Sequence, residues 1–406
     1  MPLTELESKL CESIALKRES LIEQLARHVA IPTGMNYTPG LVAYQELLLD
    51  RLTALGAEIE LIQGDPRPEW LDYPATGSGA NDDGDETIPA IVIARHQIGS
   101  DSPRVLLCGH LDTVHDPFGD FRELSIAEDG KTATGPGVVD MKGGLLVMIT
   151  ALEALHEVEV ELNWTVVLNC DEERGSFQSL ATLQEVAKTC DVGIVVEPAL
   201  ADGSLAIERM GSGQFRIEVT GQTAHVGREF ERGISAVTKL GELIVAIGKM
   251  ADPEAGILIN VGPISGGAVT NAVPDHAACW GNMRARDDNV AKKLDAMLEG
   301  LVTANDAMPS VSISKQWNRP TKPLTDAVQK LADAARQAAQ DLGQQLPFAS
   351  TGGVCDGNVL QAAGLPTIDT LGVRGGNLHR TDEFIEIGSL VERSQLLAIL
   401  LLRTAG

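Results

Sequence analysis

Short apolar runs alternate with helical stretches over much of this chain, and that alternation limits the fold more than any other feature. The runs, each bounded by polar turns, are residues 91–94, 105–108, 164–170 and 192–196. Stretches with helical spacing lie between the later runs, at residues 143–156 and 176–188. Short buried runs that alternate with helices are typical of a covered sheet. We therefore predict an α/β domain with a largely buried sheet.

The pattern changes near Gly211. From there, patterns follow in the order strand, helix, strand, strand, helix, strand, at residues 214–220, 235–250, 257–261, 277–286, 289–304 and 311–314. This order is typical of a small α+β sandwich. We predict that residues 212–320 form such a domain, inserted into a catalytic domain whose two parts are residues 1–211 and 321–406.

Further helices are predicted at residues 3–30, 41–56 and 325–342. The segment 66–89 is rich in Gly, Pro, Asp and Asn, which favours an exposed loop that is not a catalytic element.

Charge and cysteine content exclude several partners. The 57 acidic and 32 basic residues give a formal net charge of −25, which repels phosphate backbones and anionic membranes. We therefore expect no nucleic acid or membrane partner. The six cysteines form no C-x-x-C pair and are predicted to be mostly buried and reduced. With no apolar signal-peptide core and no stretch long enough to cross a membrane, a cytoplasmic protein is expected.

The first motif with chemical potential is HLDTV. An apolar run leads into His110 and Asp112, two positions apart, so that both side chains face the same way if the strand continues. His110 suits a metal ion, and Asp112 can accept a hydrogen bond from the other imidazole nitrogen. A buried histidine with an aspartate neighbour is also a common structural pair, so this motif alone decides nothing.

Carboxylates gather at the ends of the other apolar runs. Asp140 lies in GPGVVDMKGG, where a helix N-cap would be the ordinary explanation. Three acidic residues follow one another in CDEERGS, and a bound cation relieves the repulsion between such neighbours. Glu197 ends the run IVVE, and His379 lies in the late, glycine-rich GGNLHRTDE.

Open α/β sheets build their sites where parallel strands end. Two histidines and several carboxylates there predict two divalent ions about 3.5–4 Å apart. Nitrogen and oxygen ligands favour zinc, with cobalt or manganese as alternatives. Five other histidines have no comparable acidic setting in the sequence and are predicted to be structural or exposed: His28, His96, His115, His156 and His276.

The ordered motifs HLDTV, GPGVVDMKGG, DEERGS, VVEP and LHRTDE resemble those of the co-catalytic zinc peptidases and deacylases. That family includes glutamate carboxypeptidase, acetylornithine deacetylase, succinyl-diaminopimelate desuccinylase and aminoacylase. The resemblance runs from about residue 20 to the end. It implies a zinc-peptidase-type catalytic domain, with a mixed central sheet flanked by helices, and an inserted α+β domain that serves as lid and dimerisation unit.

The resemblance also implies the metal ligands. His110 and Glu197 would bind one ion, Glu173 and His379 would bind the other, and Asp140 would bridge both.

Three further roles around the metals are implied by the same resemblance. Asp112 would orient His110. Glu172 would be the general base that takes a proton from the attacking water and delivers it to the departing amine. The peptide bond between Asp140 and Met141 is expected to be cis.

For substrate recognition, the resemblance implies residues of the inserted domain and of one late loop. His225 would reach the active site of the neighbouring subunit of a homodimer and stabilise the oxyanion. Asn271 and Arg284 would bind the carboxylate of the substrate, Arg284 through its bidentate fork. Gly353 lies in STGGVCDGN, a loop expected to line the cleft, which departs from the family's usual run similar to GGGTDA.

The choice among activities depends on one ligand. The aminopeptidase and dipeptidase branches of the family tend to have aspartate where this chain has Glu197. We therefore expect hydrolysis of a small amide or peptide with a free carboxylate, with glutamate carboxypeptidase as first choice. The alternatives are an acetylornithine deacetylase or succinyl-diaminopimelate desuccinylase and, in another class, a metal-binding homologue without catalysis.

Overall fold

The helices and strands of the chain form two units, a larger α/β unit and an inserted α+β unit. The computed structural model describes residues 2–34, 36–72, 88–99, 102–304 and 306–405. The helices are α1 (Glu5–Leu16), α2 (Arg18–Val29), α3 (Thr38–Ala54), α4 (Gly143–Glu157), α5 (Leu180–Ala187), α6 (Ala236–Gly248), α7 (Asp288–Glu299), α8 (Asp326–Asp341), α9 (Asp356–Ala362) and α10 (Gly388–Ala405).

The strands complete this inventory. They are β1 (Glu58–Ile62), β2 (Ile91–His96), β3 (Arg104–His110), β4 (Ser125–Ile126), β5 (Thr132–Thr134), β6 (Asn163–Asn169), β7 (Val192–Val195), β8 (Leu205–Arg209), β9 (Gly211–Thr220), β10 (Ile257–Gly266), β11 (His276–Ala285), β12 (Ser310–Arg319), β13 (Phe348–Thr351), β14 (Thr367–Ile368), β15 (Gly375–Gly376) and β16 (Phe384–Glu386).

A six-stranded mixed sheet forms the centre of the larger unit, in the order β1-β2-β6-β3-β7-β14. Strand β2 runs antiparallel to both of its neighbours, whereas β6, β3, β7 and β14 are parallel to one another. In register, His110 pairs with Asn169, and Cys108 pairs with Val195. The residues that follow β3, β6 and β7 therefore meet at one edge of the sheet.

Helices cover both faces of this sheet, as its alternating side chains show. Val105 and Leu107 of β3 belong to the large core formed with α1–α4, α8 and α10. Leu106 and Cys108 of the same strand pack in a second core with α5 and α9. The strands are consequently apolar on both faces, which explains the uninterrupted apolar runs in the sequence.

The inserted unit is a four-stranded antiparallel sheet in the order β10-β11-β9-β12, with α6 and α7 packed on it. Its core joins Phe215 and Ile217 of β9 to Leu240 of α6 and Leu294 of α7. The order β9, α6, β10, β11, α7, β12 confirms the predicted element order and the fold class. The residue limits of the domains remain a prediction.

Glycine permits a close approach between α4 and the end of β7. A Cβ atom at Gly144 would lie 1.9 Å from the carbonyl oxygen of Val196. No side chain fits there, so Gly144 lets α4 pack directly against the main chain of Val196.

Two short sheets that the sequence pattern does not reveal complete the fold. Strand β13 pairs with β8, and β15, β16, β5 and β4 form a four-stranded sheet. Pairing of β16 with β5 brings the loop after His379 beside the turn that carries Asp140.

Several expectations about local structure need correction. The predicted helix 3–30 is two helices separated at Lys17, and the helix predicted at 176–188 is confined to α5. Of the predicted loop 66–89, residues 73–87 lie outside the described residues, and its described part is not wholly exposed, since Leu71 is buried.

The predicted state of the cysteines is confirmed: all six are free thiols, and four of them are buried. Among the described residues, no helix combines the length and the apolar character needed to cross a membrane.

Candidate metal centre

His110 lies at the end of β3, almost fully buried, with its ring between two acidic groups. Its Nδ1 is 2.9 Å from the main-chain oxygen of Asp112 and 3.4 Å from the carboxylate of that residue. Its Nε2 faces Asp140 Oδ1 at 3.2 Å and Glu197 Oε1 at 3.9 Å. With Nδ1 donating to the carbonyl, Nε2 is free to act as a ligand.

Asp140 stands between the two histidines. Its Oδ1 faces His110, and its Oδ2 is 3.5 Å from Nε2 of His379. The same His379 nitrogen is 3.3 Å from Oε2 of Glu173. His379 has a φ of 64°, a backbone conformation uncommon for residues other than glycine. The structure therefore brings all five predicted ligands into one continuous cluster.

The backbone of Asp140 departs from a helix before α4 begins. Its peptide bond to Met141 is cis, which confirms that prediction.

The donor set fits divalent cations. One atom each of His110, Asp140 and Glu173 lies within 4.8 Å of the others, which is compatible with a common ion. Oε1 of Glu173 and Oε1 of Glu197 are buried without a hydrogen-bond partner among the described residues. Buried carboxylate oxygens without a partner are costly, and a cation would satisfy them.

Electrostatics of the cluster point in the same direction. Burial alone lowers the pKa of His110, but its carboxylate neighbours outweigh this effect and raise that pKa well above its ordinary value. Hydrogen bonds to Asp140 and Glu173 raise the pKa of His379 to about 10. Burial raises the pKa of Glu173 to about 7 and that of Glu197 well above its ordinary value. Without cations, these groups compete for protons, and divalent ions remove that competition.

Glu172 lies beside the cluster but differs from its neighbours in its contacts. Its Oε1 accepts a hydrogen bond from Nη2 of Arg319 at 2.9 Å. Burial raises the pKa of Glu172, and the guanidinium of Arg319 opposes this shift. Glu172 is thus held by a protein cation, whereas Glu173 and Glu197 each have one oxygen without a hydrogen-bond partner in the described part of the chain.

Asp112 contacts more than the histidine that the sequence assigns to it. Its carboxylate also accepts hydrogen bonds from the main-chain N–H groups of Glu172, at 3.3 Å, and Glu173, at 2.9 Å. It therefore fixes the turn that presents both glutamates.

A cleft of about 700 Å³ opens over the cluster, between the central sheet and the inserted unit. Asp140, Glu172, Glu173, Glu197 and His379 lie in its wall. Arg284 and Gly353, two of the predicted substrate-binding residues, also line it. The Nη1 of Arg284 donates to the carbonyl of Gly352 at 2.6 Å, which attaches β11 to the late glycine-rich loop.

His225 and Asn271 lie elsewhere in the same chain. They are exposed neighbours in the inserted unit, where Val226 N–H donates to the carbonyl of Asn271. The described wall of the cleft includes neither residue. Their predicted roles require a second subunit and remain predictions.

Sequence reasoning missed several contacts, some of them near the site. His115, predicted to lack an acidic setting, has its Nε2 2.5 Å from Oε2 of Glu383, and His276 is 2.7 Å from Glu218. Arg67 lines the cleft although its segment was predicted to be an exposed loop that is not a catalytic element. These partners are distant along the chain, so no local pattern could have identified them.

Glu383 has a direct link to the cluster. Its carboxylate accepts hydrogen bonds from the main-chain N–H groups of Val139, at 2.8 Å, and Asp140, at 3.0 Å. It follows His379 by four residues, so one short segment supplies a histidine to the cluster and supports the turn of Asp140.

Fold and site together define an α/β protein with a candidate metal-binding cluster at the carboxyl edge of its sheet. The model of peptidase family M20/M25/M40 matches residues 106–403. The chain belongs to this family, and it is a hydrolase that acts on amide bonds.

Similar proteins span several activities. Carboxypeptidase G2 of Pseudomonas sp. (strain RS-16) is 28% identical over 310 residues, which cover 75% of this chain and 74% of that protein. Succinyl-diaminopimelate desuccinylase of Psychrobacter sp. (strain PRwf-1) is 25% identical over 383 residues, covering 88% and 90% of the two chains. A dinuclear metal-binding peptidase of Bacillus subtilis has the same fold, with a TM-score of 0.64, 15% identity, and coverage of 96% of this chain and 98% of that one.

Proposed function

We propose that this chain is a two-metal amidohydrolase of carboxypeptidase type, which releases an amino acid with a free carboxylate. One observation carries the proposal. The two oxygens of Asp140 face His110 at 3.2 Å and His379 at 3.5 Å, at the floor of the cleft. A carboxylate in that position can bridge two ions.

In this proposal, His110 and Glu197 would hold one ion, Glu173 and His379 would hold the other, and Asp140 would be shared by both. When bound, such ions lower the pKa of water and polarise the scissile carbonyl. The mixed nitrogen and oxygen donors suit zinc, with cobalt or manganese as alternatives. The similar Bacillus subtilis peptidase is described as dinuclear, which supports two ions here.

Glu172 is proposed as the general base. Its carboxylate takes the proton of the attacking water and then delivers it to the departing amine nitrogen. Burial favours this role, because it raises the pKa of Glu172 and so makes the group a better base.

The cleft provides positive charge for an anionic substrate. Arg284 is proposed to bind the free carboxylate of the substrate, with Asn271 contributing from a second subunit and Gly353 shaping the adjacent wall. Burial disfavours the charged form of Arg284, and a substrate carboxylate would restore a favourable environment. Similarity to carboxypeptidase G2 favours a glutamate-type product.

A homodimer is part of this proposal, since the role proposed for His225 requires a neighbouring subunit. The inserted unit leaves apolar side chains exposed on α6, at Val237 and Val245, and on the edge strand β10, at Leu258 and Ile264. Pairing of two copies along α6 and β10 would cover them. A monomer at all concentrations in sedimentation velocity would contradict this part.

We also propose a cytoplasmic location, because the six free thiols suit a reducing compartment.

A deacylase is the second candidate. The desuccinylase of Psychrobacter sp. matches more of this chain, 88%, than carboxypeptidase G2 does, 75%. Both activities hydrolyse an amide next to a carboxylate and would use the same metal cluster.

The test is a substrate panel. Purified protein would be assayed with a folate-type glutamate conjugate, N-acylglutamates, acetylornithine and succinyl-diaminopimelate, after removal of metal and after loading with zinc, cobalt or manganese. We expect the highest kcat/KM on the glutamate conjugates. Activity on the last two substrates alone would favour the deacylase, and no metal-dependent hydrolysis of any amide would favour a non-catalytic homologue.

A further inference from the structure

Arg319, the last residue of β12, reaches out of the inserted unit and contacts the turn of Glu172. Its side chain is 1% exposed, an unusual degree of burial for an arginine. Its Nη2 donates to Oε1 of Glu172 at 2.9 Å and to Oγ of Ser176 at 2.6 Å. Its Nη1 donates to the carbonyl of Gly175 at 2.9 Å. The guanidinium therefore binds the glutamate and the main chain that follows it.

A second carboxylate keeps the guanidinium in place independently of Glu172. Oδ1 of Asp356 lies 3.1 Å from Nη2 of Arg319 and accepts from Oγ of Ser176. Its Oδ2 accepts from Nδ2 of Asn169 at 2.6 Å. Asp356 is itself buried, so it serves as the fixed counterion of Arg319.

The main chain of Arg319 is fixed as well. It pairs with Ser212 at the start of the inserted sheet. One amide, Nδ2 of Asn358, donates to the carbonyls of Met210 and Pro320, which lie on the two connections between the units. Arg319 thus extends from a rigid point at the base of the cleft.

This arrangement distinguishes Glu172 from the other carboxylates of the cleft. Asp140, Glu173 and Glu197 face the histidines or have an oxygen that finds no partner among the residues that the structure describes, as metal ligands require. Glu172 precedes Glu173 directly, and a free carboxylate at that position would be attracted to the same cations. Arg319 supplies a competing positive charge through its contact with Oε1 of Glu172.

We propose that Arg319 is a positioning residue that holds Glu172 away from the metal ions, so that its carboxylate remains available to take the proton of water. This inference rests on the proposed function, in which Glu172 is the general base. On this inference, a residue of the inserted unit keeps the carboxylate of Glu172 out of the set of metal ligands.

The kinetic test compares Arg319→Met and Arg319→Lys with the control Lys315→Met, all on β12. Lys315 likewise pairs with two carboxylates, Asp295 and Glu299, but its side chain is partly exposed. On the best substrate of the panel, we expect Arg319→Met to lower kcat at least about 100-fold, with KM changed less than about threefold. Arg319→Lys should recover part of the loss, and Lys315→Met should match the wild type. An unchanged kcat, or a rise in KM alone as expected of a substrate-binding arginine, would overturn the proposal.

A spectroscopic test does not depend on turnover. Metal-free proteins would be loaded with two equivalents of Co²⁺, whose visible absorption weakens as its coordination number rises. In Arg319→Met, release of Glu172 onto a metal ion should weaken the visible bands, whereas Lys315→Met should leave them unchanged. Bands identical to those of the wild type would overturn the proposal, even if kcat falls.

Two further comparisons keep the result interpretable. If the unpaired Asp356 prevents folding of Arg319→Met, the double variant Arg319→Met/Asp356→Asn removes that buried charge and carries both tests. If the wild type hydrolyses no amide of the panel, the proposed function fails. The cobalt spectra then still decide whether Arg319 keeps Glu172 off the metal.

Discussion

The carboxylate of Glu383 supports the turn that carries Asp140, and we predict that Glu383→Ala destabilises the metal-free protein by about 3–5 kcal/mol. Oε1 of Glu383 accepts from the N–H groups of Val139 at 2.8 Å and Asp140 at 3.0 Å. Its Oε2 is 3.3 Å from the N–H of Gly137 and 2.5 Å from Nε2 of His115.

The magnitude follows from these contacts. A hydrogen bond to a charged group contributes about 1.5–3 kcal/mol, so the two shorter main-chain bonds contribute about 3–6 kcal/mol together. Glu383 is 1% exposed, so water does not replace it without local rearrangement. Relaxation of the turn after the substitution lowers the upper limit of the expected destabilisation to about 5 kcal/mol. In Glu383→Gln one oxygen can still accept both main-chain bonds, and we expect a loss of about 1–2 kcal/mol.

Glu383→Ala should also weaken metal binding. Removing a group that orients a metal ligand typically costs 10- to 100-fold in affinity, and we expect that range for Zn²⁺ with Glu383→Ala. Urea unfolding of the metal-free proteins measures the first effect, and calorimetric titration with Zn²⁺ measures the second. The control is Glu386→Ala. Glu386 is the last residue of β16 and forms a partly exposed ion pair with Arg374. A Glu383→Ala protein with wild-type stability and zinc affinity would refute the reasoning.

Three further predictions concern catalysis, recognition and pH. Glu172→Gln should keep two metal ions per chain by elemental analysis while lowering kcat at least about 100-fold, and substantial turnover would exclude Glu172 as the base. Arg284→Met should raise KM about 10- to 100-fold for carboxylate-bearing substrates, because a charged hydrogen bond contributes about 1.5–3 kcal/mol; an unchanged KM would exclude that contact. Burial, aided by the charges of Arg51 and Lys142, lowers the pKa of His28 to about 3, below the value of about 6.5 expected in the unfolded chain. As the pH falls from 7 to 5, the unfolded chain therefore binds a proton at His28 that the folded chain does not bind. Over this range the free energy of unfolding of the metal-free wild type should fall by about 2 kcal/mol more than that of His28→Gln, and equal losses in urea unfolding would contradict this.

Most of the cluster could be located from the sequence, because the ends of buried parallel strands can be recognised there. Apolar runs mark β3, β6 and β7, and polar residues follow each of them at once. In the structure, His110 pairs with Asn169, and Val195 pairs with Cys108, so their successors meet. Neighbouring parallel strands leave little freedom in this arrangement.

Helix boundaries were predictable where a cap marks them. Thr325 precedes α8 and accepts a hydrogen bond from the N–H of Val328, as an N-cap residue does. The break at Lys17 has no such sign, because helical spacing continues on both sides of it. The break depends on packing in three dimensions, which the local pattern does not contain.

The supports of the cluster could not be predicted. Glu383 and His115 are 268 residues apart, and Arg319 and Glu172 are 147 apart. Each contact joins segments brought together by the pairing of β16 with β5 or by the pairing of β12 with β9. A charged residue in the sequence resembles any other surface residue until its burial is known.

The most direct test of the proposed metal centre is anomalous diffraction from zinc-loaded crystals, measured on both sides of the zinc absorption edge. We predict two peaks in the cleft about 3.5–4 Å apart, one beside His110 and Glu197 and the other beside Glu173 and His379, with Asp140 between them. A single peak, or zinc bound away from Asp140, would contradict the two-metal account.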